Sequence, residues 1–373
     1  MNSMKIYAIL FVILITIFVL IFLFKQRMDI HKYFESIEEF SINSNQEKQT
    51  HNDTKGSDIS DETTSKGKKA EFKKIENKPI LSISSHNPQS DLTLKELVIK
   101  ASANTGLTGN YMNLDMIKFV LMRGCRFLDF EIYSIDGTPH IGYSTSDNVT
   151  TLDSKNEIPL DDAFNTINNL AFQSQVPNQN DPLFIHLRIK SNNSEIYKKI
   201  AAIIQGNLSN KLYKAPVDGS TKISELMGKY VILLDKSLAN DYDKYPVCSS
   251  DTDENCMNLK KFVNLESSTI QFKSNKSDYL LQQRLTPPFV IDDNKTDVFT
   301  YQMVLPDANT NFFNINNNPK SDILIKDYGV QIVCFNFFNF DKNFHKYEDM
   351  FFHFNSAIVP LSKCITYIKG LGE

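Results

Sequence analysis

Residues 124–133, read GCRFLDFEIY, constrain the fold more than any other stretch of the chain. Alternate side chains of a strand share a face, so Phe127, Asp129, Glu131 and Tyr133 point one way and Leu128, Phe130 and Ile132 the other. A strand with one apolar face and two acids on the opposite face fits a sheet covered by helices outside, with a polar centre or mouth inside. The segment alone leaves two uses for the acids open. They line a polar site, or they are buried partners of Arg126 or another cation.

Strand and helix patterns alternate on both sides of this segment. Strands are expected over 94–102, 124–133, 139–143, 182–189, 229–234, 262–265, 299–304 and 329–335. Helices are expected over 113–123, with Asn113 as N-cap and Gly124 just past the end, over 159–172, and after Ser194. Eight strands with helices between the first several predict an α/β fold, a closed (β/α)8 barrel over residues 80–373. There are no internal repeats. The chain has 373 residues, 41% hydrophobic and 23% charged, with a formal net charge of −4. No basic stripe stands out in it, and no nucleic-acid partner is expected.

The first 79 residues read differently. Residues 6–24 carry no charge, and nineteen residues at 1.5 Å each approach the hydrocarbon thickness of a bilayer. Bulky residues run straight into Lys25, Gln26 and Arg27 with no small-residue cut site, so residues 1–28 read as a transmembrane signal anchor. Lys25, Arg27 and Lys32 outnumber Lys5 and the amino terminus, which places the large domain on the cytoplasmic or virion-interior side. Residues 29–40 read as a short helical stalk, and residues 41–79, nearly all polar, as a disordered linker. The Asn-, Lys- and Ile-rich usage fits an AT-rich genome such as those of large DNA viruses.

Several motifs, in order along one chain, carry a family resemblance. The stretch 124–133 resembles the glycine-cysteine-arginine and acidic strand of phosphoinositide-specific phospholipase C X domains, and ASANTGLTGN at 101–110 resembles the motif that precedes it. PLFIHLRI, ELMGKYVILLDK and GVQIVCFNFF are similar to later barrel strands of the same family, so the resemblance covers about residues 92–352. It implies a phospholipase C-like barrel whose members cut the phosphodiester of an inositol lipid with two histidines. Those histidines belong where this chain has Ala103 and Tyr143 (followed by Ser144). Alanine has no titratable group and tyrosine ordinarily titrates near 10.

The family also holds calcium with one asparagine and three acids, since Ca²⁺ takes six or more oxygen ligands. Asn104, Asp129 and Glu131 match three of the four, and the third acid falls on Arg188. A guanidinium there repels a metal and pairs well with two carboxylates. The bacterial branch replaces its metal with an arginine, although on a different strand. The resemblance therefore implies a degenerate site of Asp129, Glu131, Arg188, Asn104 and Tyr143 with no cofactor. The alternative is an active, divergent phosphoric diester hydrolase that keeps calcium on Asn104, Asp129 and Glu131 and uses His86 or His186. The expected partners are the membrane, through the anchor, and a lipid headgroup or a protein.

Of the remaining candidates, His140 sits on the opposite strand face from Tyr143, His186 reads as a satisfied interior histidine, and His345 and His353 as solvated. The family's headgroup-gripping motif is eroded: one of two strand lysines remains, at Lys236, with Leu234 in place of the other, and Asn317 stands for a tyrosine. Cys125, Cys334 and Cys364 read as reduced core thiols, while Cys248 and Cys256 bracket a polar insert that they could clip. Asn-X-Ser/Thr sites, among them Asn192 and Asn207, are unsurprising in so Asn-rich a chain.

Overall fold

The computed structural model describes residues 59–76, 83, 91–145, 152–248, 256–283, 289–292, 295–298, 300–308 and 316–371. The anchor, the stalk, residues 41–58 and 77–79 of the linker, and His86 lie outside the described residues. Among the described residues, no helix is long and apolar enough to cross a membrane.

Eight parallel strands form the barrel. Along the sheet they run β7 (Leu265–Ser267), β6 (Tyr230–Asp235), β5 (Leu183–Lys190), β2 (Phe127–Ile135), β1 (Leu97–Ser102), β12 (Ile332–Phe335), β11 (Gln302–Leu305) and β8 (Lys273–Lys276). The barrel is nearly closed: β7 pairs with β6 and β8 with β11, but the two do not pair with each other. With only three residues, β7 has little backbone to offer a second neighbour.

One expected barrel strand is not a barrel strand. Residues 139–143 fall in β3 (Thr138–Gly142), a hairpin arm antiparallel to β2 that also pairs with β4 (Ile158–Pro159). The place in the barrel goes to β8, whose sequence KSNK has no apolar residue to signal a strand. The strand expected at 262–265 begins three residues later, because Leu259–Lys261 forms a 3-10 turn first. Residues 94–96 of the first expected strand are likewise a 3-10 turn. The short antiparallel strand β13 (Ile358–Pro360) flanks β1, and β9 (Phe289–Asp292) with β10 (Lys295–Val298) makes a separate hairpin.

The linker reading needs correction too. Residues 59–76 form a helix, α1 (Ile59–Glu76), and the compact unit of the chain starts at Ile59. Phe72 packs edge-on to Phe119 with ring centroids 6.2 Å apart, and Ile75 is buried. The composition is polar as expected, but two apolar residues three apart on a helix make one contact stripe.

The helices cover the sheet as their patterns require. They are α2 (Leu114–Met122), α3 (Leu160–Leu170), α4 (Glu195–Leu208), the short α5 (Ile223–Leu226) and α6 (Ser277–Gln282), α7 (Ser321–Tyr328), α8 (Lys342–Phe354) and α9 (Leu361–Gly370). In α3 the buried residues Leu160, Ala163, Phe164, Ile167 and Leu170 follow the three-and-four spacing of one face. Asn113 caps α2 by accepting from the amide of Asp115, and Gly124 follows the helix with φ 77°, where a Cβ would meet Ile83 at 2.6 Å or closer. Ser194 makes no side-chain cap; Asn193 Oδ1 accepts from the Glu195 amide instead.

Outside the barrel wall, β1 is bolted to α8. Lys100 and Arg123 both meet the Glu348 carboxylate, at 2.8 and 2.6 Å, with all three buried. Cys248 and Cys256 are joined in a disulfide across the polar insert, while Cys125, Cys334 and Cys364 are free and buried.

Candidate active site

Parallel pairing of β2 with β5 sets the chemistry. The register places Asp129 opposite His186, Glu131 opposite Arg188 and Tyr133 opposite Lys190. Alternation then turns all six side chains to one face, acids on one strand and cations or an imidazole on the next.

Arg188 ties the group together. Its Nε donates to Asp129 Oδ1 at 2.8 Å, Nη2 to Asp129 Oδ2 at 2.7 Å and to Asn104 Oδ1 at 2.8 Å, and Nη1 to Glu131 Oε1 at 2.7 Å. All four residues are buried. The planar fork of a guanidinium makes these four bonds from three separate nitrogens, one more than the three donors of an ammonium allow. The open question about the acids is thereby answered: their cation is Arg188. Arg126 turns away and donates to the carbonyls of Ala171 and Asn178.

The remaining valences are also filled. Glu131 Oε2 accepts from Tyr133 Oη at 2.6 Å and the Ser144 amide at 3.0 Å, with Lys190 Nζ at 3.1 Å. Asp129 Oδ2 accepts from the Asn104 amide at 3.1 Å. His186 Nδ1 lies 2.8 Å from Asp129 Oδ1, and its Nε2 lies 2.8 Å from Ser267 Oγ. Burial alone would raise the Asp129 carboxyl, but the charge of Arg188 and hydrogen bonds from His186 and Arg188 hold it well below the usual carboxylate range. The same acids push Arg188 well above its ordinary value against the effect of burial. Burial and Glu131 raise the Tyr133 phenol far out of the physiological range.

Asn104 reaches this network from the turn after β1, with φ 43°. The turn is fixed to β2 by Thr105, whose amide donates to the Asp129 carbonyl at 2.9 Å and whose hydroxyl accepts from the Asp129 amide at 3.1 Å. Above the network a small polar cleft opens to solvent at the carboxyl ends of the strands. Ala103, Asn104, Glu131, Tyr143, Ser144 and Arg188 line it, together with Lys276, Asp307 and Asn336. Burial raises the Asp307 carboxyl there.

Calcium does not fit this site. All four oxygens of Asp129 and Glu131 and the Oδ1 of Asn104 already accept from Arg188 or its neighbours, and the guanidinium occupies the space between them. No step is therefore routed through a metal. His186 is fully buried with both ring nitrogens engaged, so it presents no free nitrogen to the cleft.

The other sequence candidates lie apart from the cleft. His140 contacts Thr138, His345 and His353 are exposed, and Asn317 is exposed. Lys236 pairs with Glu266 at 3.2 Å and covers the Tyr242 ring, while Leu234 is buried. Sequence reasoning passed over Lys190, Lys276, Asp307 and Asn336. Only Lys190 carried a signal, two residues beyond Arg188 on the same strand.

Residues 90–236, which hold β1, β2, β5 and every member of the buried network but Ser267, match the profile of the family "Phosphatidylinositol-specific phospholipase C, X domain". This part of the chain resembles an X domain. The fold agrees: the crystal structure of L. pealei PLC21 superposes with a TM-score of 0.55 at 17% identity, covering 76% of this chain and 39% of that one. The crystal structure of S. officinalis PLC21 gives 0.54 at 18% identity, covering 77% and 40%. The chain thus spans about two fifths of either protein. Among curated proteins, none matches the chain by sequence.

Proposed function

We propose that the chain is a membrane-tethered, phospholipase C-like barrel that has given up phosphodiester hydrolysis and acts as a binding module for a phosphorylated lipid headgroup. The observation that carries this reading is Arg188, bonded to Asn104, Asp129 and Glu131 in the space a cation would need. Two further facts support it. Ala103 and Tyr143, which the resemblance sets against the family's two histidines, border the cleft, and His186 is buried behind the network. Each lost acid-base catalyst is worth roughly 10² to 10⁴ in rate. The cleft keeps hydrogen-bonding and charged groups suited to a polar ligand: Asn104, Ser144, Lys276 and Asn336. The family name supplies phosphatidylinositol as the first headgroup to test.

The test assays the full chain for inositol phosphate release from phosphatidylinositol vesicles, with and without calcium, beside Asp129→Asn. Background rates in every arm are expected. Turnover by the wild type that Asp129→Asn abolishes would overturn the reading in favour of a divergent hydrolase.

A further inference from the structure

Helix α1 lies outside the matched residues 90–236 and has two unlike faces. The inner face belongs to the barrel. Glu71 Oε2 accepts from Thr108 Oγ1 at 2.9 Å and the Asn110 amide at 3.1 Å, Oε1 accepts from Asn110 Nδ2 at 2.6 Å, and Phe72 and Ile75 pack beside it. Thr108 and Asn110 belong to the loop that leaves β1 through Asn104, so the helix lies alongside the rim of the cleft.

The outer face is basic. Residues 66–74 hold five lysines and one acid, and that acid is Glu71, turned inward. Lys66, Lys69 and Lys73 are exposed and follow one another at three and four residues, so they form a row along one side of the helix. In a chain of net charge −4 this is a local charge of about +4 over nine residues, and the sequence did not show it as a stripe because these residues read as linker.

We propose that this lysine row docks α1 on a membrane surface rich in anionic phospholipid, laying the rim of the cleft against the bilayer. Charge complementarity names the acidic partner, since polybasic segments near a membrane anchor are drawn to anionic lipid. The chain names the membrane. Residues 6–24, read as the anchor, end 34 residues before α1, so the lysine row follows closely along the chain on the segment expected to lie in the bilayer. This last step rests on the tethered reading above, and the test separates the two.

The full chain is reconstituted with vesicles of phosphatidylcholine alone or with added phosphatidylserine. Flotation at high salt reports the anchor; acetylation of individual lysines, followed by mass spectrometry, reports docking. On phosphatidylserine vesicles Lys66, Lys69 and Lys73 are expected to react at least about fivefold more slowly, and 0.5 M salt to remove the protection. Lys198 and Lys363, exposed on other helices, serve as references that do not change. A variant with Lys69→Gln keeps its thermal midpoint and weakens the lipid-dependent protection of Lys66 and Lys73. Equal rates on the two lipids overturn the docking, whether or not the chain floats at high salt. Equal protection by duplex DNA without vesicles overturns the assignment of the partner to lipid.

Discussion

At the scale of single residues, one side chain decides what the site can do. Arg188 makes four hydrogen bonds to three residues, and removing it leaves two buried carboxylates without their cation. Arg188→Ala is expected to cost about 3 to 5 kcal/mol in chemical denaturation. Arg188→Glu is the sharper probe, because it supplies a third carboxylate beside Asn104, Asp129 and Glu131. Calcium should then raise the thermal midpoint of that variant and leave the wild type unmoved. An equal response of both would show that the guanidinium does not exclude the metal. Acid titration adds a sign. The Asp129 carboxyl is lowered in the fold, so the unfolded chain takes up its proton first; the stability contributed by Asp129 is present above about pH 4 and lost below it. Asp129 and Glu131 were legible because a strand has period two, and Arg188 because the family resemblance set it at the third acid. Lys190 was not placed on Glu131, because that contact depends on the β2 to β5 register, which no local pattern encodes; Tyr133 was placed on the face of Glu131, but alternation alone does not show that its hydroxyl bonds the carboxylate.

At the scale of elements, the helices and long buried strands were legible, and the short or polar pieces were not. β8 has no apolar residue, and β7 has three residues, so nothing in their local sequence separates strand from loop. α1 was invisible for a related reason. Its stretch 59–76 reads as solvated chain, and a helix with so few apolar residues gains its stability from what it packs on. Here that support is the loop 104–112, with Glu71 accepting three hydrogen bonds from it. Glu71→Ala should therefore cost about 1 to 3 kcal/mol and speed amide hydrogen exchange in residues 104–112 more than in β2 or β5. Uniform acceleration across the barrel would mean that the helix braces the whole fold and not this loop. A fragment begun at Pro79 would lack the brace, so assays of the site belong to chains that include Ile59.

At the scale of the whole molecule, the barrel was legible from the succession of strands and helices, while the expected side of a membrane rests only on a few charges near residue 25, outside the described residues. The cysteines bear on that side independently. Cys125, Cys334 and Cys364 are fully buried, and burial pushes the Cys125 thiol up to about 12, so these three stay reduced in either compartment. Cys248 and Cys256 are only half-buried, so their oxidation follows the surroundings. An intact bridge would fit an oxidising space, an open one the cytoplasmic side that Lys25, Arg27 and Lys32 imply. Thiol counting decides between them. When the full chain is isolated from membranes, alkylated at lysis and unfolded without reductant, three thiols are expected to react, rising to five after reduction. Five reactive thiols before reduction would mean that the insert is open in the cell, and the charge-based orientation would stand.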